Sequence, residues 1–290
     1  MAEITAPTIP GPIAETHAPK FALPPGACDT HAHVFGPQTR YAYDPKRRYT
    51  PPDALPSSYI KLLKTLGFSR GVLVQASVYM TDNSAMLDAL AETDFELRGV
   101  VATDASVTDA ELERMNGLGV RGMRLNLRHA NGAGADDAPD LARRIAQFGW
   151  HLNFRITREN YAAMHQMLDQ VPLDIVVDHM GQVPIEYGLD GADFQALLSL
   201  IATRRVWLKL SGPMRISKQA LPYADLKPFV QRLVAAGPDR MLFATDWPHT
   251  TIAGAMPNDG DLVDLLADWV PDEATRKLIL VDNPAFRYGF

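Results

Sequence analysis

The sequence has little or none of the features that mark disulfide-bonded, nucleic-acid-binding and membrane-spanning proteins. It has one cysteine, Cys28, so no disulfide can form within the chain. It has 28 Lys and Arg against 34 Asp and Glu, for a net charge of −6, which argues against a basic nucleic-acid-binding domain. No apolar run reaches the roughly 18 residues of a membrane-spanning helix. We therefore expect a cytoplasmic protein without nucleic-acid or membrane partners, in which any anion is bound by a local basic site.

The composition indicates a folded globular chain. Apolar residues make up 47% of the sequence and charged residues 21%, which is close to the globular average. Residues 1–20 contain four prolines and lack the basic and apolar segments of a secretory signal. We predict that residues 1–20 form a flexible tail, either mobile or wrapped along the surface. Residues 21–290 are then predicted to form a single domain.

Short apolar segments alternate with helical patterns along the whole chain. The eight predicted strands are Gly26–His33, Gly71–Ser77, Leu97–Asp104, Val120–Leu127, His151–Ile156, Asp174–His179, Val206–Ser211 and Met241–Asp246. The eight predicted helices are Pro56–Leu66, Asn83–Thr93, Asp109–Gly117, Asp140–Phe148, Asn160–Gln170, Asp193–Ala202, Tyr223–Ala236 and Asp261–Trp269. Eight such units predict an α/β fold, the (β/α)8 TIM barrel. A doubly wound open sheet is the alternative, but no G-x-G-x-x-G turn follows the first strand.

Ionisable residues end several of the predicted strands, where catalytic groups lie in this type of barrel. His31 and His33 are two residues apart on the first strand, so their side chains share a face. Asp246 ends the neighbouring eighth strand, and His179 ends the sixth. Three histidines and an aspartate are ligand types of a zinc or iron site. Without metal, Asp246 would act as a general base and the imidazoles as hydrogen-bond donors to an oxyanion.

Several further residues are candidates for substrate contacts. Arg124 lies inside an apolar strand, so its guanidinium needs an anionic partner, either a protein carboxylate or a substrate carboxylate. Tyr49 follows the first strand and could close the mouth of the barrel, although a packing role is equally open. Other candidates follow or end predicted strands, namely Ser77, Arg128, Arg155 and Arg215.

Six motifs together resemble a known family. They are DTHAHVFGP, VQAS followed by TDN, RGMRLN, VVDHMG, ATDWPH and the closing DNPAFRY. The sequence from Phe21 to Tyr288 resembles the amidohydrolase superfamily, and within it the lactone-processing branch that includes 2-pyrone-4,6-dicarboxylate lactonase, sugar-acid lactonases and D-galactarolactone isomerase. The resemblance implies a (β/α)8 barrel with His31, His33, His179 and Asp246 in the catalytic pocket. It further implies that Arg124 and Arg215 hold substrate carboxylates, and that the reaction needs no metal.

The sequence also departs from that family in ways that bear on substrate. Binuclear members carry a lysine at the end of strand 4 and a histidine at the end of strand 5, whereas this chain offers Arg124 and Arg155 there. The pyrone lactonase pattern has an aromatic hydroxyl at the position of Arg155, and residues 131–137 form a Gly/Ala/Asp-rich insert. We therefore predict a lactone isomerase or lactonase that acts on a small carboxylated sugar-diacid lactone such as D-galactarolactone.

Three alternatives to that substrate and mechanism stay open. The first is a 2-pyrone-4,6-dicarboxylate lactonase. The second is a decarboxylase or hydrolase with a single zinc ion, held by His31, His33, His179 and Asp246. The third is a barrel that binds anions without catalysis, for which the retained carboxylate of Asp246 would be superfluous. The main prediction requires no cofactor.

Overall fold

Eight parallel strands form the centre of the computed structural model, which describes residues 6–126, 132–252 and 254–290. Each strand pairs with the next one along the chain, so their spatial order is their sequence order. The strands are β1 (Cys28–Ala32), β2 (Arg70–Val74), β3 (Glu96–Val101), β4 (Val120–Asn126), β5 (His151–Arg155), β6 (Ile175–Val177), β7 (Val206–Leu210) and β8 (Met241–Phe243).

The first and last strands meet, which distinguishes a barrel from an open sheet. Ala32 forms a parallel bridge with Trp247, just beyond β8. The His33 amide donates to the Trp247 carbonyl at 2.8 Å, and the Asp246 amide donates to the His31 carbonyl at 3.0 Å. These contacts bring the end of β1, with His31 and His33, beside Asp246 and Trp247 after β8. The predicted (β/α)8 architecture is confirmed.

Helices cover the outside of the barrel. Among the described residues, eight helices follow the eight strands in turn, and two short helices near the end of the chain flank a π-helical segment, Leu278–Asp282. The helices are α1 (Pro56–Leu66), α2 (Ser84–Ala91), α3 (Asp109–Gly117), α4 (Ala138–Ala146), α5 (Tyr161–Gln170), α6 (Ala192–Ala202), α7 (Lys227–Ala236), α8 (Asp259–Trp269), α9 (Glu273–Lys277) and α10 (Asn283–Tyr288). None of the helices in these three described stretches is long and apolar enough to cross a membrane.

One apolar cluster lies outside the ring of strands, and a second lies inside it. The larger cluster packs the outer faces of the strands against the helices and includes Leu73, Leu152 and Leu208. The smaller cluster fills the bottom of the barrel interior, and its buried members are Cys28, Val72, Val74, Val100, Val176, Trp207, Leu242 and Tyr288. Because side chains alternate between the two faces of a strand, residues nearer the carboxyl ends of the strands can also point into the barrel. The predicted site residues lie there, above the smaller apolar cluster.

The tail follows the surface where the structure describes it. The Ile9 amide donates to the Thr50 carbonyl at 3.1 Å, and the Thr50 amide donates to the Pro7 carbonyl at 2.7 Å. Further along, the Lys20 amide donates to the carboxylate of Asp264 on α8 at 2.7 Å. These contacts favour the surface-wrapping alternative for residues 6–20 over a mobile tail.

Candidate active site

An irregularity in β1 places two histidines in the barrel interior. Cys28 pairs with Arg70, and Asp29 pairs with Gly71, but Ala32 pairs with Leu73. One extra residue is therefore inserted in β1 between Asp29 and Ala32, as in a β-bulge. Because of this insertion, Cys28 packs in the interior apolar cluster and His31 still contacts interior groups three residues later. Sequence spacing predicts the shared face of His31 and His33, but not the bulge that turns it inward.

Asp29 fastens this bulge to the chain after β8. Its Oδ1 accepts from the Thr245 amide at 2.9 Å, and its Oδ2 accepts from the Thr245 hydroxyl at 2.7 Å. The Tyr59 hydroxyl of α1 donates to Oδ2 at 3.0 Å. Burial raises the pKa of Asp29 to about 6, despite hydrogen bonds that lower it. The buried carboxyl therefore sets the register between the strand that carries His31 and the strand that precedes Asp246.

Asp246 presents one carboxylate oxygen to the site and anchors the other. Its Oδ2 accepts from Arg215 Nε at 2.9 Å, and a second Arg215 nitrogen lies 2.7 Å away. Its Oδ1 is buried without a hydrogen-bond partner among the described residues, and lies 3.8 Å from Nε2 of His31 and 3.8 Å from Nε2 of His179. Burial raises the pKa of Asp246, but Arg215 and the histidines lower it more, so the net shift is well below the usual range. Asp246 is therefore ionised at neutral pH.

A hydrogen bond to the backbone determines which ring nitrogen of His33 carries the proton. His33 Nδ1 lies 2.7 Å from the Val74 carbonyl, which can only accept, so this nitrogen carries the proton. Burial lowers the pKa of His33 to about 4, and the ring is neutral at pH 7. His33 Nε2 therefore faces the site with a lone pair, 3.4 Å from His31 Nε2. A neutral His33 can accept a hydrogen bond in the site but cannot donate one there.

His179 begins a backbone turn whose conformation few residues adopt. His179, Met180, Gly181 and Gln182 all have positive φ, between 49° and 64°. Such a left-handed run is costly for residues other than glycine, so surrounding contacts must hold it. The Tyr161 hydroxyl of α5 donates to the Gly181 carbonyl at 2.9 Å, and His179 Nδ1 lies 3.0 Å from the Ser211 hydroxyl. Burial lowers the pKa of His179 to about 3.

A second polar layer lies directly beneath the histidines. Lys209 of β7 is completely buried, and its Nζ lies within 3.2 Å of His31 Nδ1, Asn153 Oδ1 and Asp178 Oδ1. Burial lowers the pKa of Lys209, while Asp178 opposes that shift. Burial raises the pKa of Asp178, but Lys209 and His31 lower it well below the usual range.

This polar layer was not predicted from the sequence. Asp178 lies near the end of a predicted strand, but neither Asp178 nor Lys209 and Asn153 was predicted to belong to the site. One signal was available, because a lysine within VWLKL interrupts an otherwise apolar buried strand.

The predicted arginines occupy different environments. Arg124 is buried and has a protein carboxylate nearby, with its NH2 3.6 Å from Asp178 Oδ2, while its NH1 donates to the Gln75 carbonyl at 2.9 Å. Arg215 is bound to Asp246. Arg155 ends β5, is partly exposed, and its charge contributes to the lowered pKa of His179. Arg155 and Arg215 are both partly exposed, whereas Arg124 is buried.

The remaining predicted contacts lie on the β2 side of the mouth. Tyr49 is 8% exposed, and its hydroxyl lies 3.3 Å from the Ser77 hydroxyl just after β2. The two residues are therefore brought together, as a pair that borders the site. The predicted contact from Arg128 lies outside the described residues.

The residues present fit a metal ion as well as a proton network. His31, His33 and Asp246 offer three buried ligand atoms within 4.8 Å of one another. In a tetrahedral zinc site with bonds of about 2.0–2.1 Å, ligand atoms lie about 3.4 Å apart, which matches the 3.4 Å between the two Nε2 atoms. The unpartnered Asp246 Oδ1 is a further available ligand. If zinc binds, these three residues would hold it, and it would polarise a substrate carbonyl as a Lewis acid.

The barrel and the site together agree with a match to a known family. Residues 28–290 match the amidohydrolase family model. The chain belongs to the amidohydrolase family.

Three relatives show which branch of the family this chain resembles. The 4-sulfomuconolactone hydrolase of Hydrogenophaga intermedia is 37% identical, and the match covers 96% of this chain and 94% of that protein. The 2-pyrone-4,6-dicarboxylate hydrolase of Comamonas testosteroni is 38% identical, with 93% and 92% covered. The D-galactarolactone isomerase of Agrobacterium fabrum is 30% identical, with 92% of each covered. The predicted resemblance to the lactone-processing branch is confirmed, and this amidohydrolase is an enzyme that acts on lactones.

Proposed function

We propose that this amidohydrolase hydrolyses a small anionic lactone, with water as the nucleophile. The single observation that carries the proposal is the state of Asp246. One of its oxygens is fixed by Arg215, and the other is buried, ionised and unpartnered beside the Nε2 atoms of His31 and His179. A carboxylate held in this way can accept the proton of a water molecule as that water attacks the lactone carbonyl. The tetrahedral intermediate then collapses with cleavage of the ring C–O bond, and Asp246 returns the proton to the leaving ring oxygen.

In this mechanism, one histidine accepts a hydrogen bond from the attacking water, and the other two donate hydrogen bonds to the carbonyl oxygen. His33 Nε2 has a lone pair and can orient the attacking water. His31 and His179 flank Asp246 Oδ1, so a proton on either Nε2 can be donated to the carbonyl oxygen as negative charge develops there. Removing one such donor typically lowers kcat about 10²–10³-fold. The residues therefore supply a base, an acceptor and oxyanion donors without requiring another group.

The anionic character of the substrate is inferred from the charges at the mouth. Arg155 is partly exposed at the end of β5. The two hydrolases at 37–38% identity are named for lactones that carry a sulfonate or carboxylates. A guanidinium binds either group through paired N–H donors. We therefore propose that Arg155 binds the anionic substituent of the lactone.

Isomerisation of a sugar-diacid lactone is the second candidate, and it corresponds to the substrate first predicted from the sequence. Asp246 Oδ1 could equally accept a proton from a substrate hydroxyl, which would then attack the carbonyl within the same molecule. The D-galactarolactone isomerase at 30% identity favours this candidate. The two candidates differ only in which oxygen attacks.

The deciding experiment is an NMR time course in H2-18O, with 4-sulfomuconolactone, 2-pyrone-4,6-dicarboxylate and D-galactarolactone tested in parallel. We expect an open-chain acid with one 18O in its new carboxylate from one of the first two lactones. A new lactone without 18O, formed from D-galactarolactone before any open acid, would instead establish the isomerase. No reaction with any of the three would contradict both candidates.

A variant at Arg155 tests the proposed anion contact. The Arg155→Met protein should show a KM for the anionic lactone raised at least about tenfold, as expected when a charge-assisted pair worth about 1.5–3 kcal/mol is lost. Its KM for a neutral lactone should change little. Exposed Arg143 on α4 provides the control, as Arg143→Met. Equal effects of Arg155→Met on both lactones would show that Arg155 does not bind the anion.

A further inference from the structure

Lys209 is a buried lysine in the barrel interior, and it has no role in the mechanism proposed above. Lys209 stands between Leu208 and Leu210 on β7, and its side chain is fully buried beneath the histidines. A buried ammonium is tolerated only when its hydrogens are satisfied by acceptors and its charge is compensated. The arrangement around Nζ therefore constrains the protons of its neighbours.

The hydrogen-bond count around Lys209 is exact. Its ammonium carries three N–H donors, and three polar atoms of described residues surround it. They are Asn153 Oδ1 at 3.0 Å, His31 Nδ1 at 3.1 Å and Asp178 Oδ1 at 3.2 Å. If His31 Nδ1 carried a proton, two donors would face each other and one buried N–H would have no acceptor, which costs about 1–3 kcal/mol. Asp178 Oδ1 lies 3.1 Å from His31 Nδ1 and is a competing acceptor for a proton there, but that arrangement leaves one N–H of Lys209 without an acceptor. All three N–H groups of Lys209 are satisfied only if His31 Nδ1 accepts.

We propose that Lys209 is a positioning residue that fixes the tautomer of His31, so that the proton lies on Nε2 and points into the site. His33 Nε2, 3.4 Å away, has a lone pair and can accept from it in the free enzyme. When a lactone binds, the same N–H is available to the carbonyl oxygen. Lys209 thus acts through His31 and does not itself touch the substrate.

The same contact opposes metal binding. Asp178 Oδ1 lies 3.1 Å from His31 Nδ1, the arrangement in which a carboxylate usually accepts from a zinc-bound histidine and leaves Nε2 free for the metal. Lys209 donates to both atoms and so prevents this arrangement. In a chain whose His31, His33 and Asp246 otherwise fit zinc, Lys209 therefore favours a proton on His31 Nε2 over a bound ion.

The direct test is the tautomer of His31 in the full-length, substrate-free protein. Protein labelled with 15N-histidine is studied by long-range 1H–15N correlation, and the His31 signals are assigned from their loss in His31→Gln. We expect a protonated Nε2 and an unprotonated Nδ1. A protonated Nδ1 would overturn the proposal, whether or not any variant at Lys209 folds.

The second test removes the donor. Lys209→Met has a similar length without N–H groups, and exposed Lys61→Met on α1 is the matched control. In Lys209→Met we expect the His31 proton to move to Nδ1, and zinc to bind about 10–100-fold more tightly in a chelator competition, as outer-shell changes do elsewhere. Lys61→Met should match the unmodified protein. An unchanged tautomer or unchanged zinc affinity in Lys209→Met would overturn the role of Lys209.

Kinetics add a third readout, which alone rests on the proposed function. In Lys209→Met, kcat for the lactone should fall about 100-fold or more with little change in KM, because the lost donor acts on the developing oxyanion. Lys209→Arg, which keeps the charge and the donors, should recover part of kcat. If no lactone reacts with the unmodified protein, the proposed function fails, while the NMR and zinc measurements still decide the tautomer.

Discussion

At the scale of single residues, the site is governed by which atoms can hold a proton. Asp246 is ionised because Arg215 and the histidines lower its pKa, in spite of burial. His33 is neutral with its proton committed to the Val74 carbonyl. These assignments leave lone pairs and one carboxylate oxygen directed at the same small space. In the proposed mechanism, a lactone carbonyl and its nucleophile react between a base and hydrogen-bond donors.

Asp246→Asn tests the base. The substitution preserves size and removes the charge, so kcat should fall at least about 100-fold, as expected for loss of a general base. The dissociation constant of the product, measured by competition, should change much less. A near-normal kcat would show that another group accepts the proton.

At the scale of elements, the ends of the strands leave regular geometry in order to place these residues. β1 contains a bulge, β6 is followed by a left-handed turn, and Asp246 has φ 69°. Two of these irregularities are held by hydrogen bonds to other parts of the chain. Asp29 in the bulge accepts from the Thr245 amide after β8, and Tyr161 of α5 donates to the Gly181 carbonyl in the turn. Strain held by neighbouring structure is typical of functional sites. Through its Tyr161 contact, α5 therefore helps to hold the turn that carries His179, one of the proposed catalytic residues.

Tyr161→Phe tests the link between α5 and His179. The change removes the hydrogen bond to the Gly181 carbonyl and should lower the free energy of unfolding by about 1 kcal/mol. Because the turn that carries His179 is then less well held, kcat should also fall several-fold while KM stays similar. Tyr41→Phe is the control, since it removes a hydrogen bond to Asp88 on the surface. Equal kcat in both variants would show that Tyr161 only stabilises the fold.

At the scale of the whole molecule, burying neutral histidines makes stability depend on pH. The pKa of His33 is about 4 and that of His179 about 3 in the folded protein, against about 6.5 when exposed. Unfolding therefore takes up protons below about pH 6.5, and the free energy of unfolding falls as the pH falls. Asp29 acts in the opposite direction, because its pKa is raised to about 6. The histidines outnumber it, so the net effect is lower stability in acid.

His33→Gln isolates one of these contributions. Between pH 6.5 and pH 5, the unmodified protein should lose about 2 kcal/mol more stability than His33→Gln, since each such histidine contributes up to about 1.4 kcal/mol per pH unit. Urea denaturation at several pH values measures the difference. His165→Gln, at an exposed position on α5, is the control and should follow the unmodified protein. Parallel curves for His33→Gln and the unmodified protein would contradict the neutral, buried state of His33.

The amino-acid sequence by itself determined the barrel, because hydrophobic periodicity is a local property of each segment. All eight strands and the eight helices that follow them were predicted near their observed positions. The predicted strands run up to three residues too far at their carboxyl ends, as with Met241–Asp246 against β8, which ends at Phe243. Among these residues, Asp246 and His179 lie beyond the ends of their strands and have their side chains at the site.

Only the tertiary structure decided which groups meet there. The gathering of His31, His33, His179 and Asp246 depends on the closure between β1 and β8 and on the bulge in β1. Lys209 lies 178 residues from His31 in the chain, yet the two side chains touch in the interior. Proton positions, pKa shifts and the partner of Arg215 depend on such distant neighbours, since electrostatic interactions and burial act through space. Local sequence patterns carry no record of these interactions.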